Sequence, residues 1–300
     1  MPEPAPPNGL GTDPAAGSDE VPRVHAVSDV EVLSVHSITR LSAEHTGQVV
    51  IAASHGGVYA GYCAAMGRVR AVILNDAGVG RERAGIASLD YLDRLAVAAA
   101  TADGRSCRIG DGDDMRECGI VSYVNATAAS LGCAPGQTVR DCALLLRAAV
   151  LSTAPVPPRT EARFVARDDP GAVRVIVMDS VSLIEPSDAG AIVITASHGG
   201  LLGGDPASAL KVDALAAVYC DAGFGKDRSG VTRLPALDLR GIAAVTVSAQ
   251  SACVGDGRSV YAEGVVSCVN QFAAACGVAV GDTVQAFIGK VGIGTGRAVQ

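Results

Sequence analysis

Gly47-Gln-Val-Val-Ile-Ala-Ala-Ser-His-Gly-Gly57 returns in the second half of the chain as Gly190-Ala-Ile-Val-Ile-Thr-Ala-Ser-His-Gly-Gly200. After a two-residue insertion, Asp76-Ala-Gly78-Val-Gly80-Arg-Glu-Arg83-Ala-Gly85 is matched by Asp221-Ala-Gly223-Phe-Gly225-Lys-Asp-Arg228-Ser-Gly230. Gly110-Asp-Gly112 then matches Gly255-Asp-Gly257, and Ser122-Tyr-Val-Asn125 matches Ser267-Cys-Val-Asn270. Motifs recurring in one order at nearly constant spacing are the mark of an internal repeat. The fold class expected is α/β: an internal duplication of two parallel-sheet β-α-β, Rossmann-like halves related by pseudo-symmetry.

Hydrophobic patterning gives the elements. Residues 49–53 and 191–196 are short apolar runs closed by Gly-Gly, and they read as buried strands. A helix-length stretch follows each, then a second strand (71–74 or 215–219) ending on Asp-Ala-Gly. Next comes a helical pattern, Ile86, Leu89, Leu92, Leu95 in one half and Val231, Leu234, Leu237 in the other. A third strand ends near Thr101 or Val247, before Gly-Asp-Gly, and Ser122 or Ser267 is placed as a helix cap. Residues 32–41 and 173–184 read as additional strands. Strands alternating with helices imply parallel units. Prolines at 155, 157, 158 and 170 mark a linker over 150–170, so the organisation expected is a tail (1–22), repeat one (23–149), the linker, and repeat two (171–300).

A chain of 300 residues can bury a core that needs neither disulfide nor metal. The net charge of −7, the scarcity of aromatics and the absence of Trp argue against nucleic acid as a partner. The nine cysteines are scattered without CxxC pairs, as in a reducing cytoplasm. The Pro-, Ala- and Gly-rich start lacks the pattern of a signal peptide, and no apolar run is long enough to span a bilayer. The expectation is a cytoplasmic protein with no membrane partner, free to form a homo-oligomer, acting on a small anionic molecule.

Ligands of open parallel sheets bind beyond the carboxyl ends of the strands. That rule gathers His55, Asp76 and Asp111 at one edge, and His198, Asp221 and Asp256 at another. The chemistry expected is hydrolysis of a C–N or ester bond, with His55 and His198 as acid or base and Asp76 and Asp221 orienting them or binding substrate. Adjacent residues in a strand face opposite ways, so Ser54 is a poor partner for His55. Either Ser106 or Ser251 is the nucleophile, or a water activated by His takes that place. A divalent metal held by His and two carboxylates is a third arrangement, and no cofactor is required. The same acid and base groups would also serve a lyase or isomerase, and a non-catalytic binding or structural protein is the competing class.

Gly78, Gly80, Gly223 and Gly225 open a helix-entry loop whose spacing departs from a dinucleotide fingerprint. With Arg83 and Arg228 beside it, the loop is a candidate anion pocket. Asp111 and Asp256 are further substrate contacts, and Asn125 and Asn270 are candidate amide donors to an oxyanion. Arg105 and Arg108 match Gln250 and Cys253 in the other copy, so a lowered pKa is expected at His55 more than at His198. An apolar strand ending in His-Gly, followed by a strand that ends in Cys220, is similar to the caspase-like cysteine peptidases. The likeness covers two strand ends, the first copy has Asn75 in place of the cysteine, and that activity is not carried over.

Overall fold

Val49, Val50, Ile51, Ala52 and Ala53 are wholly enclosed, as an apolar run without polar alternation requires, because such a strand must be covered on both faces. The computed structural model, which describes residues 29–294, places that run in β2 (Val49–His55). The remaining strands of the first sheet are β1 (Val32–Val35), β3 (Ala71–Asn75), β4 (Ala98–Ala102) and β5 (Val121–Val124). They lie in the order β1-β2-β3-β4-β5, parallel except for β5. The second sheet holds β6 (Arg163–Arg167), β7 (Val175–Met178), β8 (Ile192–His198), β9 (Ala216–Cys220), β10 (Ala243–Val247) and β11 (Val266–Val269). Its order is β6-β7-β8-β9-β10-β11, with β7 to β10 parallel and the two edge strands antiparallel.

The fold is therefore α/β with two mixed, mostly parallel sheets. Three expectations need correction. The sheets are not purely parallel, and their strands follow chain order without the reversal that defines a Rossmann crevice. Ser122 and Ser267 lie inside β5 and β11, where their hydroxyls meet Thr101 and Thr246; the caps of the following helices are Asn125 and Asn270. Finally, β6 falls inside the stretch read as a linker and pairs with β7. The proposed tail, 1–22, lies outside the described residues.

Alternate residues of each strand supply two cores. Val49, Ile51 and Ile73 pack with Met115 of α3 (Gly112–Cys118) and with Cys142 and Leu146 of α5 (Val139–Leu146). On the opposite face Val50, Val72 and Leu74 meet Ala64 of α1 (Val58–Met66) and Leu89 and Leu92 of α2 (Ser88–Asp93). A short helix, α4 (Ala126–Ala129), follows β5. The second sheet is covered likewise: Val193 and Ala217 pack on Leu234 and Leu237 of α6 (Arg233–Asp238). Val177 and Val218 lie in the core that holds Val260 of α7 (Gly257–Glu263) and Phe287 of α9 (Val284–Gly294); α8 (Gln271–Ala275) lies between them in the chain. The helix expected after β8 is absent: Leu201-Leu202-Gly203-Gly204-Asp205-Pro206 breaks the segment into loop and a single short turn, Pro206–Ser208.

The two sheets meet through the loops beyond their parallel strands. Ala77, Ile109, Cys220, Ala222, Ala249 and Val254 form a buried apolar seam. The backbone N–H of Arg81 donates to Ala249 O at 2.7 Å, and at the matching position Lys226 N–H donates to Gly104 O at 2.7 Å. Gly78 and Gly223 touch across the seam, since a Cβ built on either would lie 3.0 Å from the other's Cα. Both have positive φ (71° and 69°), so glycine is required twice over here, for conformation and for space.

Candidate functional site

Both strand-end histidines face one cavity of about 670 Å³ between the halves. In each pairing, β2 with β3 and β8 with β9, the register is irregular before the histidine, and this sets the imidazole apart from the regular ladder. His55 Nδ1 accepts the Gly57 N–H and His198 Nδ1 accepts the Gly200 N–H, each at 3.2 Å. With Nδ1 as acceptor, the neutral ring carries its proton on Nε2. Burial lowers the pKa of His55 to about 4. The pKa of His198 falls well below its ordinary value, first through burial, then through the nearby Arg233 guanidinium and the His55 ring. Both rings are therefore neutral hydrogen-bond donors near pH 7.

Each imidazole is completed by the other half. A Cβ on Gly255 would lie 3.1 Å from His55 Cε1, and one on Gly110 would lie 3.5 Å from His198 Cε1. The Gly-Asp-Gly loops thus cross the seam to close over the opposite histidine. Their aspartates cap helices: Asp111 accepts Asp114 N–H at the start of α3, and Asp256 accepts Arg258 and Ser259 N–H at the start of α7. Of the two, Asp256 lines the cavity.

The sequence reading missed three side chains of this cavity. Glu161, on the strap joining the halves, has its pKa raised to about 7 by burial and by the neighbouring Asp179 carboxylate. Asp179 stands just beyond β7 and accepts Gly257 N–H at 2.9 Å and Ala162 N–H at 2.6 Å, which anchors the residue next to Glu161. Its counterpart beyond β1 is His36, whose Nδ1 accepts Gly112 N–H at 3.2 Å. The strand-end rule reaches both positions, because each directly follows an apolar run. Arg233 opens α6 with 2 % of its surface exposed. Only comparison of the matching motifs flags it, since Ser88 stands at the corresponding position.

The other expected site residues lie elsewhere. Asp76 Oδ1 accepts Gly78 and Gly104 N–H, and Asp221 Oδ1 accepts Gly223 and Ala249 N–H, at 2.9–3.0 Å. They tie the loops after the second and third strands of each half together, and neither lines the histidine cavity. Asp76, Gly78, Gly223 and Gly225 border a second cavity of about 550 Å³ that shares no lining residue with the first. Gly80 and Gly225 cap the start of a short helical turn in each half. Ser106 Oγ donates to Asp103 O and accepts Ile120 N–H; Ser251 Oγ donates to Ser248 O and accepts Val265 N–H. Both hydroxyls brace backbone away from the imidazoles.

Asn125 and Asn270 donate from the amide to Val97 O and Ile242 O, and neither lines the histidine cavity. Arg83 lies over the Tyr123 ring at 5.4 Å and Arg228 over the Phe224 ring at 4.6 Å, both exposed and outside the cavity. The expected charge asymmetry is reversed. Arg105 pairs with Asp103, and Arg108 pairs with Asp114 and, across the seam, with Asp227, while the cation beside an imidazole is Arg233 at His198. Cys220 is fully buried and its thiol is pushed up to about 12 by that burial, which makes it a core residue and no nucleophile.

Among the described residues, no three His, Cys, Asp or Glu side chains gather as a metal site, and no helix is long and apolar enough to cross a membrane. No known family model matches the chain, and no curated protein or solved structure proved similar to it, so the reading of the site stands on its geometry alone.

Proposed function

We propose that the protein is a small-molecule enzyme, a hydrolase of a C–N or ester bond, acting in the cavity between two halves that arose by internal duplication. The duplication is supported by the matched motifs, by the common order of β1–β5 and β7–β11, and by the reciprocal seam contacts. One observation carries the activity: a carboxyl group poised near neutrality, Glu161, lines the same enclosed space as two neutral imidazoles from opposite halves. Titratable groups pushed in different directions within one cleft are the usual arrangement for acid and base roles.

In this reading Glu161 takes a proton from water as the water oxygen bonds to the substrate carbonyl carbon. The developing oxyanion accepts hydrogen bonds from the Nε2–H groups of His55 and His198. Collapse of the tetrahedral intermediate breaks the C–N or C–O bond, and the protonated Glu161 returns its proton to the leaving atom. The imidazoles are donors here and not the bases first expected, because their Nδ1 atoms already accept backbone N–H groups. The same pair of donors also favours a second reading, proton transfer beside a carbonyl in a lyase or isomerase, where they would hold an enolate.

A panel of small esters and amides tests the proposal. Turnover should rise with pH through about 7 as Glu161 ionises, and Glu161→Gln should lower it by roughly 10²–10⁴-fold and abolish that limb. Full activity in the variant would refute the role of Glu161. Deuterium entering a carbon acid from D₂O, with no bond hydrolysed, would select the second reading.

A further inference from the structure

Arg233 is a buried positive charge. Its Nε donates to Gly200 O at 3.0 Å, its Nη1 donates to Ser208 O and Ala209 O, and its guanidinium lies 5.2 Å from the centre of the Tyr219 ring. Among the described residues, no carboxylate lies within ion-pair distance of it. Burying a cation costs several kcal/mol unless an anion compensates. Arg70, buried against the carbonyls of Gly47 and Ala149, also has no carboxylate partner among the described residues, but it precedes β3 at the opposite end of the strands and does not line the cavity. Arg233 lines the cavity that holds His198.

The first half shows what the fold alone needs at this place. Ser88 occupies the matching position, wholly buried, with its hydroxyl unbonded. Helix α1 covers it, and a Cβ on Gly61 would lie 2.9 Å from Ser88 Cβ. In the second half a loop replaces that helix, and Arg233 ties its carbonyls down. Those ties require N–H donors but no net charge, so the positive charge is left for something else to balance.

We infer that the wall formed by Arg233 and His198 is a subsite for a small carboxylate, so that the substrate is a carboxylic acid held by its carboxylate while the bond to be cleaved faces Glu161. With Nε and Nη1 of Arg233 held by backbone carbonyls, its Nη2 is left to meet a carboxylate oxygen, and His198 lies near enough to sense the charge bound there. Inorganic phosphate is the competing anion, because Arg40, Arg159 and Lys211 line the space as well as Glu161, Asp179, Asp205 and Asp256. The inference rests on the cavity being the reaction site, but it is tested by binding alone.

Acetate and benzoate are titrated into the full-length protein at constant ionic strength, with acetamide and benzamide as neutral matches and inorganic phosphate as the competing anion. The readouts are thermal stability and the histidine ring resonances. The carboxylates should raise Tm saturably and shift His198, and the amides should do neither. Arg233→Gln should weaken carboxylate binding by roughly thirtyfold or more, and Arg233→Lys less.

Amides acting like their acids, phosphate binding more tightly than the carboxylates, or a folded Arg233→Gln protein binding as wild type would each overturn the subsite. If Arg233→Gln does not fold, the acid and amide comparison on the wild-type protein decides. Carboxylate binding with no turnover in any assay would sink the hydrolase reading and keep the subsite. Turnover confined to neutral substrates would do the reverse.

Discussion

At the scale of the residue, the two imidazoles show how a buried group records its surroundings as a dependence on pH. His55 is held near pKa 4 by burial, against 6.5 when solvated. A basic group whose folded pKa is depressed contributes stability that is fully present above the unfolded value and is lost as pH falls through the folded one. Between pH 6.5 and about 4 the unfolded chain binds the extra proton, at a cost to folding of up to about 3 kcal/mol. His55→Gln should therefore flatten the fall in stability over that window. Urea unfolding at a series of pH values reads the effect, and equal slopes in wild type and variant would show that His55 titrates normally. That a histidine stands at each strand end was legible in the sequence, because apolar runs closed by Ser-His-Gly-Gly have one structural reading. What surrounds each ring was not legible. Gly255 and Gly110 come from the opposite half, and no local pattern encodes how two sheets face each other.

At the scale of the element, the repeated asparagine illustrates a motif whose meaning is structural. Asn125 Oδ1 accepts the N–H groups of Ala99 and Ala128, and its Nδ2 donates to Val97 O. One side chain thus joins β4 to the start of α4, and Asn270 repeats all three contacts in β10 and α8. Asn125→Ala would leave buried backbone groups unpaired and should cost about 2–4 kcal/mol. Asn125→Asp keeps both acceptor contacts but sets a carboxylate oxygen against Val97 O where Nδ2 donated, so it should be no milder near pH 7. The folded fraction of either variant should keep the wild-type kcat/KM; a selective loss of activity at unchanged stability would return Asn125 to the catalytic machinery. The sequence flagged the position correctly but could not assign the role, since a cap and an oxyanion donor use the same amide. By contrast, the missing helix after β8 is written in Gly203-Gly204-Asp205-Pro206. The matching motif of the first half, which helix α1 does follow, obscures that difference. Glu161 escaped for another reason: it belongs to a connecting strap, and only the packing of that strap over the cavity gives its carboxyl a role.

At the scale of the whole molecule, the seam makes each half part of the other's site. The loops after β3 and β9 donate to the loops after β10 and β4 of the other half through the Arg81 to Ala249 and Lys226 to Gly104 hydrogen bonds, and charged pairs add to them: Arg108 with Asp227, Lys226 with Asp114, and Arg81 with Glu263. Exposed ion pairs contribute little individually. The buried apolar cluster and the contact between Gly78 and Gly223 therefore carry most of the coupling. If so, the halves should unfold together despite having separate cores. Hydrogen exchange followed by mass spectrometry across a urea series should show peptides of β2 and β8 losing protection at one concentration. Gly223→Val puts a branched side chain where φ is 69° and where even a Cβ would lie 3.0 Å from the Gly78 Cα. That change should open the seam, separate the two transitions and expose both imidazoles, moving their pKa values back toward 6.5. Two transitions already present in the wild-type protein would mean that the halves are merely adjacent. A site built from one histidine of each half would then lack the rigid seam on which its geometry depends.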